Sequence, residues 1–252
     1  MVASGSSTEG KDNMALLDDL KDVVDRTLAE DFSIVNRTSD DVPDPGKMRY
    51  DTGIKMDATY LYADMADSTK LATTSPHKTV AAALRSYLEV TVRIIRAHDG
   101  HIRSFDGDRV MGVFVGDGRA GRAVRAAMKI NYMCRQVIQP ALHDKYKSIK
   151  ASGWQLRGVS GIASSSTTMI RVGIRNNDDM VSIGIAPNLA ARLSELRVGS
   201  TTNVFIGKGS FDMLANSEKV SSKGDDMWTG PSNVKMGASS YPYMQTTYWW
   251  KP

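Results

Sequence analysis

The run Ala58-Thr59-Tyr60-Leu61-Tyr62-Ala63 limits what this chain can become more than any other segment. Six such residues are too few for a buried helix, and their aromatic and β-forming side chains suit a buried strand. An acid, Asp64, follows at once. A carboxylate there has little structural reason to exist, and such positions are where rigid scaffolds present functional groups. From Pro76 to His98 apolar residues recur with helical spacing, at Val80, Ala83, Leu84, Tyr87, Leu88, Ile94 and Ile95. His101 to Phe105 and Val110 to Val115 then read as strands around Asp106-Gly107-Asp108, where Gly107 supplies the positive φ of a tight turn. A second helical pattern over Arg119 to Asp144 is followed by strands at Leu156 to Ala163, Thr168 to Val172 and Met180 to Ile183. A helix from Pro187 to Leu196 starts on a proline in its first turn. This order predicts an α/β (α+β) fold of the ferredoxin-like or palm type, βαββαβ, with helices packed on one face of a mainly antiparallel sheet.

The chain has 252 residues, enough for one large domain with short additions. Its 41% apolar and 24% charged content excludes wholesale disorder. The net charge of +4 is spread without any run of five like charges, so no nucleic-acid tail is expected. Cys134 is alone and can form no internal disulfide, which suits a reducing compartment. No apolar run is long enough to span a membrane, and the opening MVASGSSTEGKDN lacks the core of a signal peptide. The expectation is a cytoplasmic protein with no membrane and no nucleic-acid partner. Residues 1–13 read as a disordered N-terminus. Residues 14–55 read as a helix (Met14 to Phe32) followed by an arm rich in turn residues (Thr38 to Asp51), and residues 56–250 as the main domain.

Asp64 at a strand end and Asp108 at the hairpin turn can converge, because a strand–helix–strand crossover sets its strands side by side. Magnesium and similar hard cations take one or two carboxylates plus substrate phosphates, so the pair is a seat for two Mg2+ or Mn2+ ions on a triphosphate. Taken alone, Asp108 also fits plain turn chemistry. Thr69, opening a helical segment after Asp64, can meet a phosphate oxygen or simply cap the helix. Asn188 and Arg192 lie four apart and share a helix face, with Arg192 suited to charge developing on phosphate oxygens. Such a pair also fits a solvated face, but its small neighbours Ala190 and Ala191 suggest a helix pressed against something.

Three ordered segments resemble class III nucleotidyl cyclases, the adenylate and guanylate cyclase homology domain, over roughly Asp57 to Trp249. YADMADST resembles the first metal segment, FDGDRVMGVF the Gly-Asp hairpin and IGIAPNLAARL the transition-state helix. The resemblance implies that Asp64, Asp108 and the Met65 carbonyl ligate the metals, that Asn188 orients the ribose and that Arg192 stabilises the pentavalent phosphorus. Lys235 of Asn233-Val-Lys235 resembles the late lysine on the β- and γ-phosphates, although Met236 replaces the usual glycine. The family works as a dimer with metals from one protomer and the Asn/Arg helix from the other. This chain carries both sets, which implies a homodimer with composite sites.

Where adenylate cyclases place a base-reading lysine and acid, this chain has Ser104 and Val181, and neither repeats that readout. An adenine amino group against Val181 would lose a partner worth about 1–3 kcal/mol. The altered pocket resembles that of the pyrimidine cyclases of bacterial antiphage systems, which implies UTP, or CTP, as substrate and a separate effector that reads the product. Ser104 can hydrogen-bond either pyrimidine. Arg49 and Tyr50 of the arm could fill the volume of a purine, and Arg103 could enter if its strand carries a bulge. An adenylate cyclase or a catalytically silent nucleotide-binding module remain the other readings.

Overall fold

The computed structural model describes residues 6–174, 177–201 and 203–252. In chain order the elements are α1 (Ser6–Ala29), β1 (Ser33–Asn36), β2 (Thr52–Met65), α2 (Ser68–Thr74), α3 (His77–Ala97), β3 (His101–Asp106), β4 (Arg109–Val115) and α4 (Arg119–Met133). They continue with α5 (Gln139–Lys145), α6 (Lys147–Ser152), β5 (Gly158–Ile174), β6 (Asn177–Ile183), α7 (Ile185–Ser194), β7 (Val204–Gly207), α8 (Lys208–Asp212), α9 (Asn216–Lys219), β8 (Thr229–Met236) and β9 (Ser239–Thr246).

The apolar run that dominates the sequence is the middle of β2, which pairs antiparallel with β4 on one side and β5 on the other. The sheet order is β3-β4-β2-β5-β7-β9-β8, with β1 added parallel to the start of β2 and β6 antiparallel to the far half of β5. Side chains of β2 alternate between faces. Leu61, Ala63 and Met65 enter a core with Tyr87 of α3 and Ala126, Ala127 and Ile130 of α4. Met56, Ala58 and Tyr60 enter a second core with Ala186, Leu189, Ala190 and Leu193 of α7. The expectation of helices on one face is therefore corrected: α3 and α4 cover one side and α7 the other. A run buried on both faces needs a cover on both.

Other boundaries also shift. The strands expected at 156–163 and 168–172 are one strand, β5, because the serines and threonines between them fit its ladder to β2 as well as apolar residues do. The helical stretch from Arg119 is interrupted by a π-turn at Cys134–Ile138 before α5 resumes. Of the N-terminus expected to be disordered, residues 1–5 lie outside the described residues, and from Ser6 the chain is helical, well before Met14. Among the described residues no helix is long and apolar enough to cross a membrane.

Candidate active site

β2 delivers Asp64 to the edge of the core, where its side chain is only 8% exposed. Two guanidiniums compensate the charge. Arg197, just beyond α7, donates from Nη2 to Oδ2 at 2.9 Å, and Arg109 Nε lies 3.5 Å from Oδ1. Arg109 is shared: its Nη2 is 3.5 Å from Glu195 Oε1, and its guanidinium sits 6.0 Å over the Tyr62 ring. Glu195 in turn accepts from Arg192 Nη1 at 3.0 Å. A chain of four charges thus runs Asp64–Arg109–Glu195–Arg192. The segment after Asp64 is fixed by Ala66 N–H donating to Arg157 O at 2.8 Å and by Trp154 Nε1 donating to Asp67 O at 3.0 Å.

Gly107 and Asp108 form the two-residue turn between β3 and β4, with Gly107 at φ 60°. The Asp108 carboxylate is half-buried and, among the described residues, takes no hydrogen bond or ion pair. Its charge and that of Asp64 act on one group: the Tyr87 hydroxyl is pushed well above its ordinary pKa, first by burial, then by Cys134, Asp64 and Asp108. Among the described residues no three His, Cys, Asp or Glu side chains cluster to cage a metal. The donor set is two carboxylates, which suits a hard divalent cation whose other ligands are water and phosphate oxygens. The buried Asp64 carboxylate, now balanced by guanidiniums, fits such a cation electrostatically.

α7 lies directly on β5. A side chain at Gly161 would stand 2.1 Å from Ala190 O and 2.4 Å from Ser194 N, so only glycine permits this approach. With Ala190 pressed inward, Asn188 and Arg192 face outward together, both exposed, and Arg192 keeps half of its side chain in solvent. Lys235 is exposed on the edge strand β8, four strands from β2. That separation is about 19 Å at the usual ~4.8 Å spacing. One protomer therefore does not gather Lys235 and the Asp64–Asp108 pair. Met65 buries its side chain in the core, and Thr69 is exposed on α2, whose start follows Asp67 in the left-handed region.

The residues expected at the base lie on β3, on β6 and on the arm before β2. The register of β3 shifts between Ile102 and Ser104, the irregularity on which a role for Arg103 depends. Arg103 is largely buried and donates from Nη2 to Asp179 Oδ1 at 3.2 Å. Asp179 sits two residues before Val181 on β6, so both project from one face of that strand. Ser104 is half-buried beside Arg103, and Val181 is 46% exposed. Tyr50 comes to the same β5–β6 hairpin, with the Arg171 guanidinium 4.4 Å over its ring while Arg171 donates to Met48 O at 3.0 Å and pairs with Asp178. Arg49 instead pairs with Asp51 on the exposed arm and does not fill a pocket. Arg109, Glu195, Arg197 and Asp179 escaped sequence reasoning. Arg109 directly follows the metal hairpin and could have been noted; the partners of the other three are far away in the chain or set by loop geometry.

No family profile matches the chain. The chain is 35% identical over 241 residues to a uridylate cyclase of Rhodovulum sp. (strain MB263), covering 95% of this chain and 99% of that protein. It is 36% identical over 231 residues to a uridylate cyclase of Burkholderia cepacia, covering 90% and 96%. A bacterial light-regulated adenylyl cyclase superposes with a TM-score of 0.65 at 17% identity, over 81% of this chain and 54% of that one. The guanylyl cyclase Cya2 superposes with a TM-score of 0.61 at 16% identity, over 79% and 96%. The structural likeness carries the fold, and the sequence likeness, end to end with proteins of the same length, carries the family. With a sheet like that of solved nucleotidyl cyclases and a match to those relatives along nearly its whole length, this chain belongs to the uridylate cyclase family.

Proposed function

We propose that the chain cyclises a pyrimidine nucleoside triphosphate, UTP ahead of CTP, to the 3′,5′-cyclic monophosphate and pyrophosphate in composite sites of a homodimer. The observation that carries this reading is the near full-length identity to uridylate cyclases, together with a base region that lacks the adenine-reading pair. Asp64 and Asp108 hold two divalent cations, Mg2+ or Mn2+, with the Met65 carbonyl. When bound, they would supply Lewis-acid activation of the ribose 3′-oxygen and neutralise charge on the departing pyrophosphate. From the second protomer Asn188 orients the ribose. Arg192 neutralises the charge that grows on the α-phosphate oxygens, and Lys235 and Thr69 meet the remaining phosphates. The base is read by Ser104, Arg103 and Val181, beside the β5–β6 hairpin that Tyr50 of the arm contacts. Ser104 and Arg103 offer hydrogen-bonding groups and Val181 an apolar side chain.

The four-strand separation of Lys235 from the metal pair supports the two-copy arrangement. The resemblance to antiphage cyclases supports a second-messenger role, with a separate effector as reader. Purified protein incubated with Mn2+ and each of the four ribonucleoside triphosphates is expected to give cyclic UMP as the main product by mass spectrometry. Cyclic AMP as the dominant product would overturn the pyrimidine assignment, and no product from any triphosphate would leave a silent module.

A further inference from the structure

Sequence and placement conflict in α1. Met14, Leu16, Leu17, Leu20, Val23, Val24 and Leu28 fall on one half of the helix circumference, an amphipathic pattern that ordinarily packs against something. All seven are exposed, from 39% at Val23 to 80% at Leu28. Every described side chain from Asn13 to Thr38 is exposed, so Phe32, Ile34 and Val35 extend the apolar surface into β1. The last turns of α1 face Tyr50 and Ile170 to Ile174 across an open cleft of about 660 Å³ rather than a packed contact. A contiguous apolar surface of this size on a folded chain marks a docking face.

The charge pattern indicates what covers it. Asn13 to Asp31 holds six acidic and two basic residues, whereas the remaining sequence holds 30 basic and 22 acidic residues. Two copies of α1 laid against each other would bring like charges together, and an anionic lipid surface would repel the acidic half. The basic body of another copy of the chain has the opposite sign. We propose that α1 is an arm that lays its apolar half on the body of a second copy of this chain. The inference rests on the two-copy reading and adds to it a contact made outside the catalytic residues. Each protomer gives an arm and receives one.

The test uses full-length protein in sedimentation equilibrium, with a variant carrying Leu17→Asp, Leu20→Asp and Val24→Asp. These positions are exposed, so the variant should keep the wild-type circular dichroism spectrum. The arm predicts a dimer dissociation constant weakened about tenfold or more in the variant. It also predicts that the wild-type dimer loosens as salt rises towards about 1 M, where opposite charges are screened. A variant that dimerises as tightly as wild type overturns the arm and leaves the cyclase reading intact. A wild-type dimer that tightens with salt while the variant dissociates overturns it in favour of helix-on-helix pairing. A wild-type chain that stays monomeric overturns both the arm and the composite site. Asp64→Asn, which removes a metal ligand and leaves α1 untouched, tests the chemistry separately: retained cyclisation there refutes the metal assignment without bearing on the arm.

Discussion

The two ends of the sheet proposed to hold the metals and the base are built by different means. At the metal end, Asp64 and Asp108 stand on the last residue but one of a 14-residue strand and on a two-residue turn, both anchored in a core buried on two faces. At the base end, Arg103 is placed by a bulge and Val181 by a hairpin beyond the main ladder, and the two strands are joined by one ion pair, Arg103 to Asp179, between residues far apart in sequence. On the proposed assignment, the reaction rests on a core strand and a tight turn, whereas substrate choice hangs on features that change by single substitutions without disturbing the core.

If that division is right, substitutions at the two ends separate into loss of reaction and change of substrate. Asp64→Asn and Asp108→Asn are expected to cut cyclisation about a thousandfold or more, since a metal supplies several kcal/mol of transition-state stabilisation. Circular dichroism should remain that of folded protein; substantial turnover in either variant would break the metal end of the comparison. Arg192→Ala is expected to cost about 10²–10³ in kcat, the usual effect of losing one donor to developing charge. Mixing Arg192→Ala with Asp64→Asn protomers should restore part of the activity, because one of the two composite sites in a mixed dimer is then complete. An additive rate, with no gain on mixing, would refute the composite arrangement. Arg103→Ala is expected to lower kcat/KM for UTP about tenfold, the worth of one lost hydrogen bond to a buried partner, while leaving Mn2+ dependence unchanged. A shifted metal dependence would show that the two ends are not independent. The smallest expected effect is at Cys134, whose thiol is pushed up to about 12 by burial and sits in the core shared by α3 and α4. It should resist iodoacetamide at neutral pH until the protein is unfolded, because the reactive thiolate is absent.

The metal end was legible in the sequence because each of its signals is local. A buried strand followed by an acid, and a glycine in a tight turn, state their conformations within a few residues. The Asn188–Arg192 face was legible for the same reason, since helical spacing fixes it. The base end was only half legible. A bulge at Arg103 could be named as a condition, but its realisation depends on how β3 meets β4, and Asp179 is brought to it by the β5–β6 hairpin, 76 residues away. The guanidinium clamp on Asp64 was missed because Arg197 lies 133 residues further along and beyond the end of a helix, where spacing carries no information. The second core was missed because an apolar run announces burial without saying what covers each side. Length misled at β5, where polar residues in the middle of a strand look like a break.

Gly161 settles more than the fit of one helix. Because side chains of a strand alternate faces, sliding β5 by one residue would replace this gap with Ser160 or Ile162 beneath Ala190 and Ser194. The backbone of α7 could not then descend, and Asn188 and Arg192 would ride at another height above the sheet. A missing side chain thus acts as the notch of a key: it admits one alignment of strand and helix. Through that alignment, an atom that is not there sets where Asn188 and Arg192 are held.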